Sequence, residues 1–341
     1  KQKTAYEIGV RLVGSEMCIR DRKYIVLTCL LLVIAFVGVV LGPTNGSAKE
    51  LFEAVFLIGE KDTTHTIIWD LRAPRVFLSM LAGACLGLAG IFLQLSTRSP
   101  LGDPNLFGIG GGAAIFLAAV TAGVFTVDGF GVFLGCVVSS VLVSVMLAAL
   151  VSNRDLTPIK LAIMGIAVGA LTVSIGTSVI SHGRVFPTQL IGLIAGSFTS
   201  STWLLNLYLL GTLLVVAVPS VFISGKLYPV MLGDTLSKSL GVNPVAIRFI
   251  SMGIVGVLSG ASVMAGGLIG FVGLIAPHVA RKMFGNAPVH LIMGSLLVGA
   301  IATMYSDQIS RLLFAPTELP VGMTTTIIGA PLMMYLAMRM K

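Results

Sequence analysis

Long apolar runs alternate with short charged or polar stretches along the chain. A helix crosses a bilayer when about 20 consecutive residues are mainly apolar, and most of these runs approach that length. Dividing the runs at charges, prolines and polar clusters predicts ten membrane-spanning helices. The predicted spans cover residues 24–42, 76–96, 106–124, 129–151, 161–181, 203–223, 249–265, 268–280, 291–306 and 321–338. The pattern therefore predicts an all-α, polytopic membrane protein.

Two shorter helices are predicted between the spans. The stretch 185–225 carries no charge, but Pro187 and the polar residues 197–202 divide it, which predicts a short helix near 190–197. The second lies at 231–240, between the sixth and seventh spans, and is too short and too polar to cross a membrane.

The 231–240 segment has an amphipathic pattern. Three leucines spaced by four residues share one face: Leu232, Leu236 and Leu240. We expect Asp234 and Lys238 to pair one turn apart and Gly241 to cap the C-terminus before Pro244. One interpretation of such a segment is an interfacial helix that lies on the bilayer.

The composition excludes a water-soluble enzyme. Of 341 residues, 56% are hydrophobic and 11% are charged, and the mean hydropathy is +1.00, whereas soluble domains carry about 25% charged residues. The 40 glycines lie within apolar runs, where small residues let membrane helices approach closely. The GxxxG spacing favours helix packing over a direct role in a transport pathway, and it occurs for example in the pairs Gly83 with Gly87, Gly165 with Gly169, and Gly256 with Gly260.

The distribution of basic residues predicts the orientation. With ten spans, both termini lie on one side. If that side is cytoplasmic, the cytoplasmic segments hold 16 of the 22 lysines and arginines, in agreement with the positive-inside rule. The net charge of +8 follows from this topology and requires no nucleic-acid partner.

Residues 1–22 are assigned no function. They begin with Lys1, are polar, and are interpreted as a non-native or disordered segment preceding a permease domain at 23–341. Without them the predicted cytoplasmic side still holds the larger number of basic residues.

The sequence predicts no resident metal or cofactor. The four cysteines form no CxxC pair, and the four histidines are far apart. No phosphate-binding loop of the G-x-x-x-x-G-K-[ST] type occurs. If ATP drives this protein, a separate chain binds ATP and Mg²⁺.

Several motifs recur in order along the chain. Arg72 and Arg75 precede the glycines Gly83 and Gly87 and the polar Gln94 in the second span. The later motifs are SPLGDP at 99–104, GGG at 110–112, AGGLIGFVGLIAPH at 265–278, ELPVG at 318–322 and GAP at 329–331. Taken together, they resemble the FecCD/BtuC-type permease family of ABC importers for ferric siderophores, haem and cobalamin.

The resemblance implies a type II ABC importer permease in the cytoplasmic (inner) membrane of a bacterium. Such a subunit dimerises with a second copy or a related permease, docks a substrate-binding protein outside and binds two ATPase subunits inside. The expected cargo is an iron chelate such as a ferric siderophore, with haem or cobalamin as alternatives.

Three arginines are expected at the outer surface, where the positive-inside rule disfavours them. The resemblance implies that Arg72, Arg75 and Arg311 pair with carboxylates of the binding protein. The alternatives are snorkelling to lipid headgroups, or for Arg311 an internal pair with Asp307 at i, i+4.

The resemblance also places an inner gate and a coupling element. The gate would involve Ser99, Pro100 and Leu101 opposite Thr157 and Pro158 at cytoplasmic turns. The segment 231–240, including Asp234, Lys238, Gly241 and the three leucines, would sit in a cleft of the ATPase. The remaining family motif positions are structural: Gly83, Gly87, Gln94, Gly273, Pro277, His278, Glu318 and Pro320.

Ionisable residues separate the possible transport classes. His278 is expected to cap or hydrogen-bond a broken helix, with a proton relay as the alternative, and Asp307 and Glu318 are expected near the outer surface. An ion-coupled carrier usually holds polar or acidic sites at the bilayer midplane, and a channel needs a selectivity filter. The sequence shows neither, which favours an ATP-driven permease.

Overall fold

The structure of the chain, a computed structural model, describes residues 5–42, 63–152, 158–183, 187–313 and 317–339. At residues 5–20, 158–159, 161–162, 182, 187–190, 336–337 and 339 it describes the backbone alone. Every regular element in these ranges is helical, and they contain no β-strand. Thr157 and the four residues before it, 153–156, lie outside the described residues.

The described residues form twelve helices. They are α1 (Ala5–Val40), α2 (Ala73–Thr97), α3 (Ile109–Thr121), α4 (Gly129–Ser152), α5 (Pro158–His182), α6 (Pro187–Ala195), α7 (Trp203–Leu232), α8 (Asp234–Ser239), α9 (Pro244–Gly266), α10 (Val272–Phe284), α11 (Pro288–Leu312) and α12 (Val321–Arg339). A helical turn at Thr63–Thr66 and a π-helix at Ile67–Arg72 lead directly into α2.

Each predicted span corresponds to a helix, but the spans differ in length. Seven described helices are long and apolar enough to cross a membrane: α1, α2, α4, α5, α7, α9 and α11. The helices α3 and α10 have 13 residues each. They are shorter than a span because non-helical backbone at 98–108 and 267–271 takes up part of each predicted run.

Helix α2 is the centre of the bundle. Almost all of its side chains are buried, and it contacts α7, α9, α10 and α11. The outer helices α1, α4, α5 and α7 instead expose many large apolar side chains, as expected for surfaces that face lipid or another membrane subunit. The prediction of an all-helical, multi-pass membrane protein is confirmed.

Small residues allow the central helices to touch through their backbones. A Cβ added at Gly87 would lie 2.2 Å from the carbonyl oxygen of Ser295, and one at Gly83 would lie 2.3 Å from that of Gly299. Gly256 and Gly260 of α9 pack against α4, Gly165 of α5 packs against the Phe107 side chain, and Gly169 packs against the backbone at Leu106 and Gly108. These three GxxxG pairs therefore serve packing within the chain.

The amphipathic segment differs from its prediction in extent and in pairing. Helix α7 continues through Pro219 and Pro229 to Leu232, so this leucine ends α7 rather than starting a separate helix. Gly233, with φ +123°, breaks the chain direction, and α8 has only six residues. The Asp234 carboxylate bonds Arg98 and Arg248 rather than Lys238.

The C-terminal cap of α8 agrees with its prediction. Gly241 has a left-handed φ of +75°, and its N–H donates to the carbonyl of Lys238 at 3.0 Å. A residue without a Cβ adopts this conformation at little cost. Asn243 then caps α9 by accepting hydrogen bonds from the N–H groups of Val245 and Ala246.

Candidate functional site

Two interrupted segments meet inside the bundle. The segment 98–108 links α2 to α3, and the segment 267–271 links α9 to α10; much of both is buried. Backbone polar groups at membrane depth are tolerated outside helices only where protein or a water-filled cavity surrounds them. Discontinuous helices of this kind are common at the working centres of membrane transporters.

Side chains of the first segment bind the second. The Asn105 amide donates to the carbonyl of Ile269 at 2.7 Å. The carboxylate of Asp103 accepts hydrogen bonds from the N–H groups of Asn105 and Leu106 at 2.9 and 3.1 Å. Burial raises the pKa of Asp103 to about 6, although these hydrogen bonds lower it. The arrangement fixes the two segments against each other.

Gln94 joins three parts of this region. Its amide nitrogen lies 3.3 Å from the carbonyl of Gly102 and 3.5 Å from that of Gly273, and its amide oxygen accepts a hydrogen bond from Arg281 at 2.8 Å. Helix α2, the 98–108 segment and α10 are thereby connected through one side chain. The sequence predicts Gln94 and Gly273 as motif positions but not the contact of Gln94 with Arg281.

Helices α2 and α10 also touch directly. A Cβ added at Gly90 would lie 1.8 Å from the carbonyl oxygen of Gly273, so no side chain fits there. Phe271, just before α10, has a left-handed φ of +68°, a conformation that a bulky residue adopts only when tertiary contacts hold it.

Other motif residues of α10 lie beside this contact. Pro277 is buried within the helix, and His278 is half-buried. The Nε2 atom of His278 has no hydrogen-bond partner among the described residues, so the expected cap through this atom is not seen.

The predicted gate residues form a turn at the end of α2. Ser99 is buried, Pro100 is exposed and Leu101 is half-buried. The N–H of Gly102 donates to the carbonyl of Ser99 at 3.3 Å, which closes the turn. Of the other two predicted gate residues, Pro158 is the first residue of α5, and Thr157 lies outside the described residues.

An arginine pair and an aspartate connect this turn to α8. Arg98, immediately before the turn, donates through Nη2 to Asp234 and through Nε to the carbonyl of Val230 at 2.6 Å. Arg248 of α9 donates to the same carboxylate oxygen at 2.6 Å. Burial raises the pKa of Asp234, but the two arginines outweigh this effect and hold the pKa below its ordinary value.

We call this part of the molecule the Asp234 end and the opposite part, where α2 begins, the Arg75 end. The spacing of residues along the sequence does not predict the Asp234 cluster, because its members are far apart in the chain. The only signal was the position of Arg98 at the end of a predicted span.

The leucines predicted for partner contact are exposed. Leu232, Leu236 and Leu240 have exposed fractions of 51%, 45% and 58%. The three lie within nine residues of one another in the sequence at the Asp234 end, and we call them together the leucine surface.

The Arg75 end contains a second ionic cluster. Arg75 donates through Nε and Nη2 to Asp307 at 3.1 and 3.0 Å and through Nη1 to Glu318 at 2.8 Å. Leu319, next to Glu318, donates from its N–H to the carbonyl of Ser310 at 3.1 Å, and Pro320 immediately precedes α12. The cluster therefore ties the start of α2 to the end of α11 and to the 317–320 loop.

Arg72 and Arg311 point to the end of α1. Arg72 donates to the carbonyl of Val40 at 2.8 Å, and Arg311 lies 3.5 Å from that of Gly38. Cations favourably satisfy carbonyl groups at a helix C-terminus. All three predicted docking arginines are buried, which corrects the expectation that they lie open at the surface. The alternative predicted for Arg311 is a pair with Asp307. In the structure the Asp307 carboxylate is bonded by Arg75 instead.

A hydroxyl-lined cavity of about 390 Å³ lies near the α6–α7 connection. Thr121, Ser197, Thr199 and Ser200 contribute its polar groups. Among the described residues, no group of three or more His, Cys, Asp or Glu side chains is placed to hold a metal ion.

Comparison with known proteins finds one family model and several relatives, each of which matches most of the chain. A sequence model of the FecCD transport family matches residues 30–339. The iron(3+)-hydroxamate import system permease protein FhuB of Bacillus subtilis is 34% identical over 91% of this chain and 81% of its own length. The vitamin B12 import system permease protein BtuC of Vibrio cholerae is 31% identical over 80% of this chain and 83% of its own.

A solved structure gives the same result at the level of the fold. It is described as an inward-facing conformation of a metal-chelate type ABC transporter, and it superposes with a TM-score of 0.78 at 25% identity. The match covers 94% of this chain and all of that one.

Proposed function

The chain belongs to the FecCD transport family, and from that premise we propose that it imports an iron chelate of the ferric siderophore class. It is a permease subunit of an ABC importer, and its role is transport rather than catalysis. The proposal concerns the cargo, the partners and the orientation.

The cargo proposal is supported by the relatives and by the chain's own chemistry. FhuB is named for iron(3+)-hydroxamate import. Among the described residues there is no cluster suited to hold a bare metal ion, so iron would cross as a complete chelate. The named activity of BtuC keeps cobalamin as the second candidate, with haem as a third.

The partner proposal rests on the leucine surface. Three leucines at one exposed site next to a short helix are suited to an apolar cleft in another protein. We assign that cleft to an ATPase subunit, which binds ATP and Mg²⁺. Two such subunits would serve a pair of permeases, either two copies of this chain or one copy with a related chain.

This assignment fixes the proposed orientation. The Asp234 end faces the cytoplasm, as the basic residues near it favour, and both termini lie on that side of the cytoplasmic membrane. The Arg75 end then faces outward, where a substrate-binding protein docks. Because Arg75 already bonds two carboxylates of its own chain, a carboxylate of the binding protein would have to compete with the partly exposed Glu318.

Transport by reconstituted complexes tests the cargo. The permease is placed in liposomes with its ATPase and binding protein, and uptake of radioactive ferric hydroxamate is compared with uptake of ferric citrate, haem and cobalamin. We expect ATP-dependent iron uptake that ionophores do not abolish. Preferred uptake of cobalamin or haem would overturn the cargo proposal, and ionophore-sensitive uptake without ATP would indicate an ion-coupled carrier.

A pair of variants tests the leucine surface. Leu236→Asp places a charge on it, whereas Thr235→Asp places the same charge on the adjacent exposed position. We expect Leu236→Asp to abolish ATP-dependent uptake and ATPase binding while Thr235→Asp retains both. Equal transport by the two variants would contradict the assigned ATPase contact.

A further inference from the structure

We propose that Asp234 and Arg98 form a mechanical link that transmits movement of α8 to the gate turn at the end of α2. The proposal deepens the function proposed above, because it requires that α8 responds to an ATPase. Asp234 and Arg98 are positioning residues in this scheme, since neither needs to touch the cargo.

The link begins at the leucine surface. Asp234 is the first residue of α8, two positions before Leu236. A displacement of α8 therefore moves the Asp234 carboxylate with it. Gly233, in an extended conformation that only glycine adopts freely, separates α8 from α7. The buried hydroxyl of Ser237 in α8 donates to the carbonyl of Pro229 in α7 at 2.8 Å, so a reorientation of α8 involves only the last turn of α7.

Arg98 receives this movement. Its guanidinium bonds the carboxylate of Asp234 through Nη2 and the carbonyl of Val230 through Nε. A charge-assisted pair together with a second hydrogen bond holds the planar guanidinium in one orientation. The side chain is thus attached to the ends of both α7 and α8.

The backbone of Arg98 is the pivot of the gate turn. It is the C-cap of α2 and has a left-handed φ of +54°, which costs a non-glycine residue energy unless contacts maintain it. The contacts of its side chain with Asp234 and Val230 are of the kind that can do so. Ser99, Pro100 and Leu101 follow at once, so a change at Arg98 redirects the turn.

The turn is connected onward to the interior. The carbonyl of Gly102 accepts a hydrogen bond from Gln94, and Gln94 accepts one from Arg281 of α10. A polar chain therefore runs from Asp234 through Arg98, the turn and Gln94 to α10. It connects α8 with the two interrupted segments described above.

Arg248 has a different part in the cluster. It lies on α9, and its side chain is 11% exposed. Its bond gives the Asp234 carboxylate a second cationic partner, on a long helix of the bundle. One carboxylate between two arginines can shift its hydrogen bonds from one to the other without losing charge compensation.

The test measures coupling, not only activity. In the reconstituted complex, the ratio of ATP hydrolysed to chelate imported is determined for Asp234→Asn, Arg98→Gln and the double variant. We expect each single variant to raise this ratio about tenfold, as expected for the loss of a charged hydrogen bond. The double variant should be no worse than either single one. Lys226→Gln, which removes an exposed positive charge near the same end of α7, should leave the ratio unchanged.

Labelling of the gate turn provides a second readout. Leu101→Cys is introduced into a chain in which Cys18 and Cys29 are replaced by alanine. In the otherwise unchanged chain, we expect ATP to alter the rate of labelling by a water-soluble thiol reagent. In the presence of Asp234→Asn, the rate should no longer depend on ATP. A cluster that only holds the fold together would lower the melting temperature but leave that dependence.

The outcomes separate this inference from the function it rests on. If the unmodified complex shows no ATP-dependent uptake, the proposed function is wrong. If it does, and both variants keep the normal ratio and ATP-dependent labelling, the link is wrong. Should Asp234→Asn fail to fold, Arg98→Lys carries the test, since a single ammonium cannot reproduce the guanidinium geometry at Asp234 and Val230. Normal coupling in that variant would also overturn the link.

Discussion

Arg75 and Asp307 form a buried ion pair in which two guanidinium nitrogens bond one carboxylate. Nε and Nη2 lie 3.1 and 3.0 Å from Oδ1, and the side chains are 10% and 1% exposed. The pair joins the first turn of α2 to the last part of α11, two helices whose middle sections already touch through glycine backbones. It therefore fixes the position of the central helix against α11 at the Arg75 end.

Removal of one partner should destabilise the protein strongly. Asp307→Ala leaves the Arg75 charge buried with only Glu318 to compensate it. Breaking a buried pair in this way costs about 3–5 kcal/mol, which is measurable by thermal or SDS denaturation in detergent. Asp70→Ala, at an exposed position of the π-helix, is the control and should change stability by less than about 0.5 kcal/mol. Equal stability of the two variants would contradict the role of the pair.

The surface member of this cluster should affect docking. The Glu318 side chain is 39% exposed, so its bond with Arg75 is open to competition. If a binding protein presents a carboxylate to Arg75, Glu318→Gln removes the competitor and should tighten binding by up to about fivefold. The dissociation constant is measured with the reconstituted permease at low and high salt, and the gain should shrink as salt rises. Weaker or unchanged binding at low salt would argue against a contact with Arg75.

The contact of Gly90 with Gly273 predicts intolerance of a single methyl group. In Gly90→Ala the new Cβ would lie 1.8 Å from a backbone carbonyl oxygen, which cannot move without shifting α2 or α10. We expect a loss of about 3 kcal/mol or more. At Gly211 of α7 no atom lies within 4 Å of an added Cβ, so Gly211→Ala should be neutral or slightly stabilising. Similar melting temperatures for both variants would show that the helices are not in contact at Gly90.

The sequence predicts the helices better than their connections. Each of the ten predicted spans coincides with a described helix, because membrane helices must be apolar over most of their length. It overestimates α3 and α10, because the apolar residues at 106–108 and 268–271 lie in non-helical backbone rather than in helices. Hydropathy reports only how apolar a residue is. It therefore does not distinguish apolar residues in a helix from apolar residues in a non-helical segment.

The ionic contacts illustrate what a single sequence leaves open. Asp234 has Lys238 one turn away, which is the nearest partner along the chain, yet Arg98 and Arg248 bind it. Arg75 likewise pairs with residues more than 200 positions away. Local spacing predicts pairs within a helix, whereas the folded bundle determines which charges meet.

Asp103 should make stability depend on pH between its unfolded and folded pKa values. Its ordinary pKa is 3.8, and burial raises the pKa in the folded protein to about 6. Between these values the folded state binds more protons than the unfolded state, so stability falls as pH rises through this window and levels off above about pH 6. The loss is on the order of 2–3 kcal/mol.

In Asp103→Asn the side-chain oxygen can still accept the N–H bonds of Asn105 and Leu106, but it does not titrate. The variant should therefore match the parent near pH 4 and exceed its stability at pH 7.5, as measured by thermal unfolding in detergent at several pH values. Asp103→Ala loses those hydrogen bonds as well, and it should lie below Asp103→Asn by a constant amount at every pH. Parallel curves for the parent and Asp103→Asn would show that Asp103 does not titrate in this window.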